Sequence, residues 1–406
     1  MKGNVIVGQS GGPTAAINAT LSGVIRGAKK ALADGYVEKI YGMRNGIEGF
    51  LEDRLIDLDA AFADLKDLSL LEATPSAALG SCRKKLPAPE LGNEIFEKIF
   101  SLFKKYDIRY FFYIGGNDSM DTVAKLTVYS KMVNYDLRAV GVPKTIDNDL
   151  AATDHTPGFG SAAKFVATTI SEILCDTAVY RIPAVTIVEV MGRDAGWLTT
   201  SAALPSLNGK QVDYIYLPEV AFSVEAFLDD VRAALKRHPN VVIAVSEGIR
   251  DAEGNYISAS GKKDNFGHVQ LTGAGRVLES IVKEAIGCKV RSIELNLPQR
   301  CASHIASLTD IKESVMTGEA AVNFAVRGSA GTMVCMKRYE SSEYEIYFEA
   351  LDVLSIANAV RSVPLEYINE AHNGVTQACL DYLAPLIVGE LPIVYKNGMP
   401  AHFSFD

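Results

Sequence analysis

The densest run of reactive side chains in the sequence is Lys144-Thr-Ile-Asp-Asn-Asp149, which sets an ammonium, a hydroxyl, an amide and paired carboxylates within six residues. Asp-Asn-Asp is also ordinary turn chemistry, so the run alone fits a solvated turn as well as a site. Its company decides. Gly8-Gln-Ser-Gly-Gly12, Gly115-Gly-Asn-Asp118, Met191-Gly-Arg193, Ser246-Glu-Gly248 and Pro298-Gln-Arg300 are likewise small polar or charged turns that follow apolar runs. Ala78-Leu-Gly-Ser-Cys-Arg-Lys-Lys85 adds three consecutive cations. Of these Arg83, beside Gly-Ser and with a rigid donor fork, is best placed to clamp phosphate oxygens. The bland readings are a solvated basic face at 83–85 and a helix cap at Asn117 or Asp118. Together the turns offer Arg, Lys, Asp and backbone donors, with no His or Cys nucleophile. That is a poor kit for acyl transfer or hydride chemistry. It suits phosphoryl transfer, which needs positioning, charge neutralisation and one base for the accepting hydroxyl.

The elements that carry these turns are read from periodicity. Apolar runs at 4–8, 39–43, 110–114, 139–143, 184–190, 214–217, 240–245, 289–295 and 332–337 predict strands. Helical spacing falls between them at 14–32, 90–105, 120–132, 162–174, 224–237, 273–286 and 310–326, and a β-ribbon is expected at 344–350. Alternating strands and helices predict an α/β chain with parallel sheets covered on both faces. In such sheets ligands bind at the carboxyl ends of the strands, so the turns are expected to converge on one cleft. Strand, Gly11-Gly12 turn and helix favour an anion, although neither a P-loop nor a dinucleotide fingerprint is present. A net charge of −9 argues against nucleic-acid or anionic-membrane partners. Cys82, Cys175, Cys288, Cys301, Cys335 and Cys379 are scattered without a Cys-x-x-Cys pair, which predicts reduced thiols. No signal-peptide run opens the chain and no apolar stretch approaches the ~20 residues that span a bilayer. A cytoplasmic location is expected.

In order along the chain, Gly11-Gly12, Leu79-Gly-Ser-Cys-Arg83, Gly115-Gly-Asn-Asp-Ser119, Pro143-Lys-Thr-Ile-Asp-Asn-Asp149, Met191-Gly-Arg193, Glu247-Gly248 and Gln299-Arg300 resemble the motifs of the phosphofructokinase family. The resemblance implies the phosphofructokinase fold, two Rossmann-like three-layer lobes with mostly parallel sheets. Residues 1–155 with a return segment near 300–345 would form the phosphoryl-donor lobe, 156–299 the sugar-phosphate lobe and 346–406 a C-terminal extension without assigned chemistry. The implied reaction is phosphoryl transfer to the C1 hydroxyl of fructose 6-phosphate, a step of glycolysis or, in reverse, gluconeogenesis.

The resemblance implies Asp147 as general base, ionised at neutral pH if it keeps an ordinary pKa near ~3.9. Thr145, Ile146, Met191, Gly192, Arg193 and Glu247 would hold the sugar phosphate, with Arg193 also near the developing charge. Arg291 and Arg300 would bind the 6-phosphate, and in the family such an arginine can come from a neighbouring subunit, so a homodimer or homotetramer with shared sites is expected. Gly11, Gly12, Arg83 and Lys144 would hold the donor, and Asn117 and Asp149 a Mg²⁺ ion. ATP-using relatives carry glycines where Asp118 and Lys144 stand, whereas pyrophosphate-using members carry these residues. Asp118 would repel the α-phosphate of ATP and Lys144 would neutralise a small polyanion. The expected donor is therefore pyrophosphate. An ATP-dependent 6-phosphofructokinase and a non-catalytic homologue that binds sugar phosphate are the alternatives. Asn117 stands where the family usually places a metal-binding Asp, Ala184 where many members have an inter-subunit Arg, and Leu297 where a His is common.

Overall fold

A computed structural model of the chain describes residues 1–64, 66–263, 269–271, 273–357 and 359–405. The first half supplies strands β1 (Gly3–Gln9), β2 (Val37–Met43), β3 (Leu55–Asp57), β4 (Ile108–Gly115) and β5 (Arg138–Pro143). The middle supplies β6 (Ala184–Val190), β7 (Tyr214–Tyr216), β8 (Asn240–Ser246), the antiparallel pair β9 (Ala259–Lys263) and β10 (Val269–Leu271), and β11 (Lys289–Glu294). The chain then returns as β12 (Thr332–Arg338) and β13 (Ile346–Asp352). The larger sheet runs β13-β12-β5-β4-β1-β2-β3, with antiparallel pairing only at its two edges. The smaller sheet, β11-β6-β8-β7, is parallel throughout. The α/β reading with mostly parallel sheets holds.

Period-two alternation splits each sheet between two cores. Val5, Val7, Tyr110 and Phe112 pack against the helices Ile17–Ala33 and Leu308–Arg327. Ile6, Phe111 and Tyr113 face Glu94–Lys105 and Asn117–Met132 from the opposite side. In the smaller sheet Val188, Val190, Val242 and Ala244 pack with Phe159 and Trp197, while Val185, Ile187, Val241 and Ile243 pack with Phe227 and Leu278. Helix Glu94–Lys105 begins later than expected because Asn93 caps it, its side chain accepting from the Ile95 amide. The ribbon expected near 344–350 is instead β13, which pairs with β12 and closes one edge of the larger sheet. Residues 346–352, at the start of the expected C-terminal extension, thus form an edge strand of the larger sheet.

Register puts the turns level with one another. Gln9 pairs with Ile114 and Gly115 with Pro143, so the residues after β1, β4 and β5 emerge side by side. Val190 pairs with Ser246 and Glu189 with Glu294, which aligns the turns after β6, β8 and β11.

Behind the loop that follows β5 lies a buried charge cluster. His155 bonds Asp154 through Nδ1 at 2.8 Å and Glu313 through Nε2 at 2.7 Å, and the Tyr344 hydroxyl donates to Glu313 at 2.7 Å. Arg338 pairs with Asp154 at 3.0 Å. Burial pulls the His155 pKa down, but Glu313 and Asp154 outweigh it and hold it at about 9. A raised folded-state pKa stabilises fully below the unfolded value near ~6.5 and is lost as pH climbs through the folded one, here an interval worth about 3 kcal/mol. The melting temperature is accordingly expected to fall between about pH 7 and pH 10, and His155→Gln to flatten that slope. An unchanged slope in the variant, read by thermal denaturation across pH, would remove His155 as its source.

Candidate active site

The turns meet in a cleft of about 430 Å³ between the two sheets, lined by Gly11, Gly12, Arg83, Asn117, Asp118, Lys144 and Asp147 on one side and Met191, Arg193, Glu247 and Arg300 on the other. This is the size of an ordinary small-molecule site.

One end is built for polyanions. Lys144 is 3 % exposed and donates from Nζ to the Gly12 carbonyl at 2.5 Å. A Cβ on Gly11 would stand 3.6 Å from Lys144 Nζ, and one on Gly12 would stand 3.0 Å from Arg300 Nη1 and 4.0 Å from Arg83 Nη2. Three cations therefore surround a backbone turn with no side chain in the way. Burial lowers the Lys144 pKa to about 8, Asp147 opposes the shift, and Arg300 and Arg83 add to it. A bound polyanion would reverse that direction, because it favours the charged ammonium.

Asp118 stands at the rim. Its carboxylate is exposed and paired with Lys85 at 3.0 Å, in the first turn of helix Asn117–Met132, whose N-cap is Gly116. The bland reading of Asn117 or Asp118 as the helix cap therefore fails: they lie one and two residues past the cap, inside the helix.

The base loop lies between the two ends. The Asp147 amide donates to Thr145 Oγ1 at 3.1 Å, and the Thr145 hydroxyl donates to Asp147 Oδ2 at 3.3 Å. Burial raises the Asp147 pKa, against Lys144 and the Thr145 hydroxyl, which lower it. The ordinary value assumed from sequence does not hold. Burial and then the neighbouring Asp147 push Asp149 up to about 7. Crowded, desolvated carboxylates of this kind mark places where a cation or a proton is wanted. Asn117 lies beside them, its Nδ2 donating to Asp149 Oδ2 at 3.4 Å, while its buried Oδ1 has no partner. An orphaned amide oxygen next to Asp149 is a donor set suited to a hard, hydrated divalent cation. No group of three or more His, Cys, Asp or Glu forms a closed metal cage among the described residues.

The other end is held by the turns of the smaller sheet. A Cβ on Gly248 would come within 1.9 Å of the Arg193 carbonyl oxygen, so the Glu-Gly pair is what lets the Met191-Gly-Arg193 turn settle on β8. The Gly192 amide donates to Glu247 Oε1 at 3.3 Å and the Met191 amide to Gln299 Oε1 at 3.1 Å. Burial raises the Glu247 pKa, against the Gly192 amide and Arg193. Arg193 Nε is buried without a partner, leaving a cation ready to engage an anion.

Most of the residues expected from sequence share this cleft; Ile146, Thr145 and Asp149 line it too, and Gly192 backs it. Two do not join the sugar-binding side of the cleft within this chain. Arg291 lies on the edge strand β11 opposite Thr186, facing a separate surface hollow with Tyr180 and Ile182, and does not reach the cleft of its own chain. Arg300 reaches the cleft but aims its guanidinium at Gly12, the donor turn, rather than at the sugar end. Sequence reasoning also passed over Ser10, Thr14, Lys84 and Asp194, which line the cleft. Asp194 follows Arg193 and pairs with Arg250 at 2.6 Å. Its place within an already noted motif was the available signal.

Comparison with known proteins agrees with this geometry. The chain is 38% identical over 400 residues to a pyrophosphate–fructose 6-phosphate 1-phosphotransferase of Methylococcus capsulatus, covering 98% of this chain and 94% of that one. It is 39% identical over 407 residues to the enzyme of the same name from Xanthomonas campestris, covering 99% and 96%. The crystal structure of a pyrophosphate-dependent phosphofructokinase from Nitrosospira multiformis superposes with a TM-score of 0.89 at 37% identity, covering 99% of this chain and 96% of that one. A family model described as Phosphofructokinase matches residues 4–325, and the chain belongs to the phosphofructokinase family.

Proposed function

We propose that the chain transfers a phosphoryl group from pyrophosphate to the C1 hydroxyl of fructose 6-phosphate, giving fructose 1,6-bisphosphate and phosphate, and that it runs in both directions. The observation that carries the choice of donor is the buried Lys144 ammonium at the Gly11-Gly12 turn, flanked by Arg83 and Arg300 and with Asp118 across the mouth. Three cations around a short turn match a small polyanion. A nucleotide must instead pass its α-phosphate by the Asp118 carboxylate.

Thr145, Ile146, Met191, Gly192, Arg193 and Glu247 hold the sugar phosphate. Asp147 takes the proton of the C1 hydroxyl as that oxygen bonds to the near phosphorus of pyrophosphate. The bridging P–O bond breaks, and its electron pair leaves on inorganic phosphate. Lys144, Arg83 and Arg300 neutralise the departing charge and Arg193 the transferring group, an electrostatic contribution made before the reaction begins. Asn117 and Asp149 would hold Mg²⁺. When bound, it supplies charge neutralisation to the donor oxygens.

The chain works as a homodimer or homotetramer in this reading. Arg291 on the β11 edge, beside exposed Tyr180 and Ile182, serves the site of a neighbouring copy rather than its own. The six cysteines are unpaired, which suits a reducing cytoplasm, and no helix among the described residues is long and apolar enough to cross a membrane.

The deciding experiment is a coupled assay of fructose 1,6-bisphosphate formation with pyrophosphate or ATP at equal concentration. The expected rate with pyrophosphate exceeds that with ATP by about 10²-fold or more. Turnover on ATP with none on pyrophosphate overturns the donor assignment, and no turnover on either favours the non-catalytic homologue.

A further inference from the structure

The family match ends at residue 325, yet the base loop is held largely by residues beyond it. Asp147 and Asp149 face the cleft, whereas Asn148 between them turns the other way, with a left-handed φ of 54° and no exposed surface. Asn tolerates that backbone better than most side chains. Its Nδ2 donates to the Tyr382 hydroxyl at 2.9 Å. That hydroxyl donates to the Asp154 carbonyl at 2.7 Å and accepts from Arg361 Nη2 at 3.4 Å, so its one donor and two acceptor positions are filled.

Residues 359–363 run alongside the same loop. The Arg361 amide donates to the Asp149 carbonyl at 2.8 Å, and Leu150 bridges antiparallel to Val360. The Arg361 carbonyl accepts from Trp197 Nε1 at 2.9 Å, and its guanidinium lies 4.2 Å from the Trp197 ring centroid. Glu219 Oε1 accepts from both the Val363 amide at 2.9 Å and the Gly196 amide at 2.8 Å. One strap therefore ties the base loop of the first lobe to the far end of the Met191–Gly196 turn of the second.

We infer that residues 359–363 and Tyr382 form a strap that sets where Asp147 stands relative to the sugar-binding turn, with Tyr382 and Arg361 as positioning residues for the reaction. Neither touches the cleft. Their contacts fix the backbone that follows Asp147, at Asn148, Asp149 and Leu150, which leaves the carboxylate little freedom to drift from the C1 hydroxyl. Displacements of about 1 Å at such a base cost up to about 10²-fold in rate, without altering the turns that bind the substrates. The inference rests on Asp147 being the base.

Tyr382→Phe keeps the ring and removes the hydroxyl. Asn148→Gly keeps the left-handed backbone and removes the amide. Each is expected to lower kcat about tenfold or more while KM for fructose 6-phosphate and for pyrophosphate stays within about twofold. The double variant is expected to be little worse than either single one, because both remove the same tie. Phe405→Ala, which loosens the C-terminal tail where it packs edge-on against Phe62, serves as the destabilised control. It is expected to lower the melting temperature with kcat unchanged. Retained kcat in Tyr382→Phe, losses confined to KM, or fully additive losses in the double variant each overturn the inference. Should Tyr382→Phe fail to fold, the kcat and KM of Asn148→Gly decide alone. An Asp147→Asn enzyme that keeps its activity would instead remove the assignment of the base, so the two failures are told apart.

Discussion

Asp147→Asn is expected to lower kcat by about 10³-fold while the dissociation constant for fructose 6-phosphate, measured by calorimetry, changes by less than about threefold. The substitution is isosteric and keeps an acceptor for the Thr145 hydroxyl, but it cannot take a proton. The buried setting sharpens the expectation. Burial raises the Asp147 pKa, so the ionised form is costly in the folded chain and the neutral amide relieves that cost. The variant should therefore melt at the same temperature or higher. Loss of activity with unchanged or improved stability separates a catalytic carboxylate from a structural one, whose removal would lower both. An Asp147→Asn enzyme with more than about a tenth of wild-type kcat would leave the loop without its base, since general-base contributions run at about 10²-fold or more. Asp149, whose neighbour Asn117 carries the unpartnered oxygen, is expected to respond differently. Asp149→Asn should raise the Mg²⁺ concentration needed for half-maximal rate, a shift that Asp147→Asn lacks.

The site was legible in sequence where chemistry and backbone geometry are both local. Apolar runs with period-two alternation announce strands, and glycine with a charged residue at their ends announces turns that parallel topology must gather at one edge. Lys144, Asp147 and Arg193 could be placed on that basis because each sits within a few residues of its strand. What stayed hidden depends on long-range packing. Arg291 carries the right charge on the right strand, but whether β11 is central or an edge is decided by pairing, and pairing put it away from the cleft. The direction of Arg300 is a side-chain matter settled against Gly12, far away in sequence. The Asp147 pKa could not be read from its type, because burial is a property of the assembled lobes. The C-terminal residues looked empty of chemistry since their polar groups serve other residues' backbones, as the Arg361 amide does for Asp149.

Lys144→Gly is expected to cut kcat/KM for pyrophosphate by about 10²–10³-fold, the usual consequence of removing a preorganised donor from a desolvated site, with KM for fructose 6-phosphate unchanged. The structure shifts the weight of donor choice toward this residue. From sequence Asp118 and Lys144 look like equal partners. In the fold Lys144 is buried at the Gly12 carbonyl, whereas Asp118 is exposed at the rim and already paired with Lys85. An exposed, paired carboxylate repels weakly, because water and its partner screen it. Asp118→Gly alone should therefore raise ATP turnover by no more than about tenfold, and Asp118→Gly with Lys85→Met no further, since the pair acts as one unit. The larger gain should need both Asp118→Gly and Lys144→Gly, which together clear the rim and remove the buried ammonium that favours the small donor. Kinetics of the single and double variants with pyrophosphate and ATP test this directly. If Lys144→Gly keeps pyrophosphate kcat/KM within about tenfold of wild type, the Nζ bond to Gly12 is only a staple for the turn, and the donor must owe its neutralisation to Arg83 and Arg300.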